Sequence, residues 1–214
     1  AFRFAAGNRL LIKRGTVCAG ALAPQGSGGP NAPIVIDAYG EGPLPVISGG
    51  SAEAAVKLFN QQHWEINHLE VTGGDRYGVY VSGDSPNSGI NHIYLRNLDV
   101  HGATYTSTKR ADSGEVVIAT HAPRQIVNDV LIDSVIAHDS RVAEGIAVTA
   151  GGAWIEGNGV MQPLGSNVTV QNSTAHDIYG DGIVISELHS GLLQRNVVYR
   201  SGLCPNCTES PPVG

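Results

Sequence analysis

A parallel β-solenoid is the fold that this 214-residue sequence predicts, and three observations carry the prediction. Short stretches with aliphatic residues at alternate positions recur along the chain. A second element with its own fixed spacing follows each of them, and no helical periodicity lies between the two. The composition agrees: charged residues are only 15% and glycines number 28, against about 25% and about 7% in average soluble proteins. Such a chain breaks helices early, while its 42% hydrophobic content is enough to offset ordering entropy.

The first element carries the pairs Val56/Leu58, Val79/Val81, Val116/Ile118, Ile146/Val148 and Ile183/Ile185, and period two means strand. The second carries Ile66/Leu69/Val71, Leu95/Leu98/Val100, Ile132/Val135/Ala137, Val170/Ser173/Ala175 and Leu193/Asn196/Val198. Its three-residue step skips a position, as a bend between two strands does. The shortest repeat runs from Val56 to Val79, and longer ones carry insertions near residues 103–115 and 150–165. A unit of about 20–25 residues built of short strands is what stacked coils require. A β-sandwich, the competing architecture, does not repeat one inward pattern five times at equivalent positions. Ahead of the repeats, LLIKRG, PIVIDAYG and PVISGG supply strands for an N-terminal capping coil, separated by the Gly- and Pro-rich APQGSGGPNAP. The chain is expected to form one domain over 1–214, with residues 1–50 as cap and first coil, 51–203 as repeating coils, and 204–214 as a tail cut short.

A net charge of −6, with Lys and Arg scattered, argues against nucleic-acid binding. The longest uncharged stretch is broken by Pro and Gly, so no membrane-spanning helix is expected. Of the three cysteines, Cys18 stands alone, while Cys204 and Cys207 in CPNC suit a local disulfide, half a zinc site or a redox pair. Sequons at Asn167, Asn172 and Asn206 fit a secreted chain but arise easily by chance.

AAGNRLLIKRGTV, APIVIDAYGEGPLPVISGG, HWEINHLEV, NHIYLRNLDVHG and DGIVISELHSGLLQRNVVYRSG resemble the right-handed parallel β-helix proteins of the pectate-lyase-like superfamily, over essentially the whole chain. The resemblance implies an all-β, single-stranded right-handed parallel β-helix that is secreted and acts on a polysaccharide, with a monomer expected. It also implies an inward turn role for Asn196. The adjacent aspartates of polygalacturonases and the DPHE motif of mannuronan epimerases are absent.

Aligning the repeats stacks Thr72, His101, His138, His176 and Tyr199 as one ladder, and places Asp139 beside Asp177 and Glu144 beside Asp181. Two carboxylates one coil apart can share a calcium ion, which makes Asp139 and Asp177 the candidate metal ligands. A lyase acting on uronates needs a base and a cation, for which Lys109, Arg110 and His138 are the available types. A hydrolase needs a carboxyl pair, for which Glu144 and Asp181 stand out. His101, Tyr105, His176 and Trp154 are the candidate sugar contacts, while Trp64 alternates with Ile66 as a core residue does. The expected function is therefore a secreted carbohydrate-active enzyme of lyase or glycoside hydrolase type. The alternative is a noncatalytic carbohydrate-binding or adhesin-like solenoid.

Overall fold

The computed structural model describes residues 2–85, 89–105, 113–121, 125–150 and 164–203. Among these, nineteen strands pair in parallel in three sheets, and no helix is long and apolar enough to cross a membrane. Sheet I holds β1 (Arg9–Lys13), β3 (Ile34–Tyr39), β6 (Trp64–Asn67), β9 (Gly89–Arg96), β12 (Ile126–Asp133), β15 (Gly165–Gln171) and β18 (Gly191–Gln194). Sheet II holds β2 (Val17–Ala19), β4 (Val46–Ser48), β7 (Glu70–Thr72), β10 (Asp99–His101), β13 (Ile136–Ser140), β16 (Thr174–Ile178) and β19 (Val197–Tyr199). Sheet III holds β5 (Ala54–Phe59), β8 (Tyr77–Gly83), β11 (Gly114–Thr120), β14 (Glu144–Thr149) and β17 (Asp181–Ser186). From β3 onward each turn of chain visits the three sheets in order before stacking on the previous turn, so the molecule is an all-β parallel β-helix.

Register explains the repeat. Val56, Val79, Val116, Ile146 and Ile183 are successive Cα partners in sheet III. Ile66, Leu95, Ile132, Val170 and Leu193 form the same kind of row in sheet I. Most of these side chains are wholly buried in one continuous aliphatic core, and burying each stabilises the fold by about 1.5–3 kcal/mol.

The second element of the repeat is two strands, as its three-residue step suggests. A single left-handed residue makes each bend: His68, Asn97, Ser134, Asn172 and Arg195, with φ between 50° and 56°. Four of them keep the ladder unbroken by donating their N–H to the next coil, as Asn97 does to the Asp133 carbonyl at 3.0 Å. A left-handed residue costs roughly 1–2 kcal/mol, least for Asn and Asp. Asn196 turns inward at the adjoining position, where Nδ2 donates to the Val170 carbonyl and Oδ1 accepts from the Ser173 N–H.

The first fifty residues contribute strands β1 to β4, in register with the coils that follow. The end of the core beneath them is closed by Phe4, Leu10, Ile12, Cys18 and Leu22. Phe4 meets Trp64 edge-on, and the buried Trp64 indole donates to the Gly26 carbonyl at 2.9 Å. Trp64 is thus a core residue.

Candidate functional site

The middle strands of sheet III are buried on both faces. Every residue of β8 and β11 is buried, and Ala54, Tyr77, Tyr80, Val117, Ala119 and Ala147 form a second cluster on the face turned away from the main core. One row of this outer face runs Ala54, Tyr77, Gly114, Glu144, Asp181. Glu144 and Asp181 are therefore direct partners on adjacent strands, which lie about 4.8 Å apart, and their exposures are 1% and 6%. Gly114 makes room for Glu144: a Cβ there would strike the Val117 side chain and lie 3.3 Å from the Glu144 Cβ. On the same face Tyr77 and Tyr80 stack with ring centroids 3.8 Å apart, and the Tyr80 hydroxyl lies 2.8 Å from His121 Nε2. Arg76 sits over the Tyr105 ring at 4.7 Å, and the Tyr105 N–H donates to the Asp75 carbonyl at 2.7 Å.

Sheet II carries the histidine ladder in the register that the spacing predicts: Thr72, His101, His138, His176 and Tyr199 are successive partners. The rings stack at centroid separations of 4.9, 5.0 and 4.8 Å. Carboxylates flank them. His138 places Nε2 2.8 Å from Asp99 Oδ1 and Nδ1 2.8 Å from Asp139 Oδ2. His101 Nε2 lies 3.3 Å from Glu70 Oε1, and His176 Nδ1 lies 2.7 Å from Asp177 Oδ2. The hydrogen bond to Asp99 raises His138 to about 9, with Asp139 adding to it against the opposing effect of burial. The same bond holds Asp99 below the usual carboxylate range. At neutral pH His138 is an imidazolium donating from both nitrogens.

Asp139 and Asp177, the pair marked by the sequence for a cation, are left-handed corner residues at equivalent positions. Asp139 faces His138, and Asp177 is gripped by both His176 and the Arg200 guanidinium. Arg200 pulls Asp177 far below the ordinary range. Lys109, Arg110 and Trp154, like Cys204 and Cys207, lie outside the described residues.

Three groups escaped the sequence reading. Glu70 and Asp99 occupy one row of sheet II, two residues ahead of the ladder. On sheet I, His92 lies between Asp129 (2.8 Å) and Glu65 (3.2 Å), with Tyr94 and Arg96 bonded to the same two acids. Glu115 points into the helix interior, fully buried, where Oε1 accepts from the Ala103 N–H at 2.9 Å. Burial raises its carboxyl to about 7, against opposing contributions from that N–H and from His138. The register places Gly78 in its row, where a Cβ would lie 2.7 Å from Glu115 Oε2. An acid at a position held by alanine or glycine (Ala55, Gly78, Gly145, Gly182) in the other sheet III coils was the available signal.

Fold and site together define a parallel β-helix with a buried carboxyl pair on one sheet and a His–carboxylate ladder on the next. No protein-family model and no curated protein sequence matches the chain. Among solved structures it is similar to a GH136 lacto-N-biosidase from Eubacterium ramulus. The selenomethionine derivative superposes with a TM-score of 0.80 at 19% identity, over 97% of this chain and 42% of that one. The native protein gives 0.73 at 19% identity, over 95% and 41%. An alginate lyase from Paenibacillus sp. str. FPU-7 gives 0.35 at 12% identity over 92% of each chain, too low to carry a correspondence. The chain spans about two fifths of the length of the lacto-N-biosidase, and at this identity the likeness establishes the fold.

Proposed function

We propose that the protein is an extracellular carbohydrate-active enzyme of glycoside hydrolase type, with Glu144 and Asp181 as its carboxyl pair. One observation carries this reading: two buried acids stand in register on adjacent strands, on the face that also carries a buried cluster of alanine, valine and tyrosine. Carboxyl groups about 5–5.5 Å apart suit a retaining mechanism, and strands spaced about 4.8 Å apart hold the pair near that separation. One carboxylate attacks the anomeric carbon while the other protonates the departing oxygen. The second then deprotonates the water that releases the sugar, so the proton returns to it. Of the neighbouring tyrosines Tyr105 is the exposed one, with Arg76 on one side of its ring, and it offers a stacking surface. The similarity in fold to a lacto-N-biosidase supports the class. A lyase that uses His138 as base is disfavoured, because a group protonated up to about pH 9 accepts no proton at neutral pH.

The test is to incubate wild type, Glu144→Gln and Asp181→Asn with a panel of oligo- and polysaccharides, following reducing ends and unsaturated uronates in parallel. Reducing ends alone are expected, with each folded variant slower by on the order of 10²–10⁴-fold. Azide distinguishes the roles by its product: a glycosyl azide of inverted configuration marks loss of the nucleophile, one of retained configuration loss of the acid/base. Full activity in both folded variants would refute the assignment, and retention on a polysaccharide column without turnover would leave a binding solenoid instead.

A further inference from the structure

We propose that Asp99, His101 and His138 form a site for a divalent transition-metal ion of the zinc type, tying two adjacent coils together. One donor atom from each, a carboxylate oxygen and two imidazole nitrogens, lies within 4.8 Å of the other two. Zinc bonds of about 2.0–2.1 Å in a tetrahedron put donors about 3.3 Å apart, so the widest pair needs to close by up to about 1.5 Å, while His138 Nε2 and Asp99 Oδ1, now 2.8 Å apart, need to open slightly. Asp99 and His101 sit two residues apart on β10 and so share a face, while His138 is the partner of His101 on β13.

The rings are already oriented for ligation. His138 Nδ1 is held by Asp139 at 2.8 Å, and His101 Nδ1 lies 3.4 Å from Thr72 Oγ1. Both Nε2 atoms are thereby turned toward the carboxylate row, onto Asp99 at 2.8 Å and Glu70 at 3.3 Å. Zinc would displace the Nε2 proton that His138 otherwise shares with Asp99, releasing it to solvent, while the outer partners keep each Nδ1 in place, the usual support of a metal-binding histidine. Stacking of His138 between His101 and His176 limits ring rotation further. The donors are open to solvent, with side-chain exposures of 37% for Asp99, 27% for His101 and 20% for His138. Two imidazoles and a carboxylate suit zinc and its first-row neighbours better than the oxygen-preferring calcium. Glu70 stands beside His101 as a possible fourth donor, and otherwise that position stays open to water. The site lies on sheet II and is independent of the carboxyl pair on sheet III.

Untagged protein is dialysed against zinc, and the bound metal is counted and titrated calorimetrically. Wild type is expected to hold one zinc per chain and to melt at a higher temperature with it. His101→Ala and His138→Ala should weaken binding by more than tenfold, and Asp139→Asn by about 10–100-fold, as loss of an outer partner does. His92→Ala, on the other cluster, should leave binding unchanged. Cobalt(II) bound to wild type reports the site without any variant: intense visible bands indicate a low-coordinate histidine–carboxylate site. Failure to retain zinc, equal binding in the folded His101→Ala and His138→Ala variants, or only the weak spectrum of hexa-aquo cobalt would overturn the proposal.

Discussion

Replacing Glu115 by glutamine isolates the cost of keeping one carboxyl inside the coils. In the folded chain burial lifts this group from the ordinary 4.5 to about 7, so between those two values the native state holds a proton that the unfolded chain has released. With fewer protons on the unfolded chain, unfolding free energy falls as pH rises. At 1.36 kcal/mol per pH unit, stability declines by about 3 kcal/mol between about pH 4.5 and pH 7 and then levels off. Glutamine still accepts the Ala103 N–H and never ionises. Wild type and Glu115→Gln should therefore be equally stable near pH 4 and differ by about 3 kcal/mol in favour of the variant near pH 8. Urea unfolding followed by circular dichroism at half-unit pH steps reads this directly. The difference curve is the relevant quantity, because His138 on β13 and the other histidines titrate in both proteins. A flat difference, or a variant less stable than wild type at pH 8, would refute the argument that desolvation dominates at Glu115.

Ile118→Ala removes a fully buried side chain from the sheet III row between Val81 and Val148; chemical denaturation should show a loss of about 2–5 kcal/mol. Asn196→Ala deletes the two bonds that join the last described bend to the coil before it, and a loss of about 1–3 kcal/mol is expected, with hydrogen exchange faster at Ser173. Arg200→Ala removes the guanidinium that depresses Asp177, so the carboxyl resonance of Asp177 should titrate at higher pH in the variant. An unchanged titration would mean that His176 alone holds it.

Much of this architecture was legible because parallel coils stack position on equivalent position. Once Val56/Leu58 and their four repeats are aligned, the spacing itself states that His101, His138, His176 and Tyr199 are neighbours, and that Glu144 meets Asp181. Alternation with Ile66 marks Trp64 as core, while it is the family resemblance that implies an inward Asn196. Alternation fails at the bends, where one left-handed residue advances the chain by a position without swapping faces. Parity assigns Glu115 to the outside because Val116 faces in, yet its carboxyl turns to the Ala103 N–H and lies against Gly78, although no residue at the start of β11 is left-handed. Counting from Val56 reads residues 1–50 as an N-terminal cap and first coil; their strands pair in register with the coils that follow, while their turns use glycines where later coils use Asn and Asp. The carboxylates that hold His101 and His138 come from the row ahead of the ladder, a relation visible only when two strands lie side by side. The sequence by itself determined the solenoid and its ladders, because in-register stacking turns linear spacing into contact. The tertiary structure alone decided which face each acid occupies and how deeply it is buried, because those depend on bends and coverings that no local period encodes.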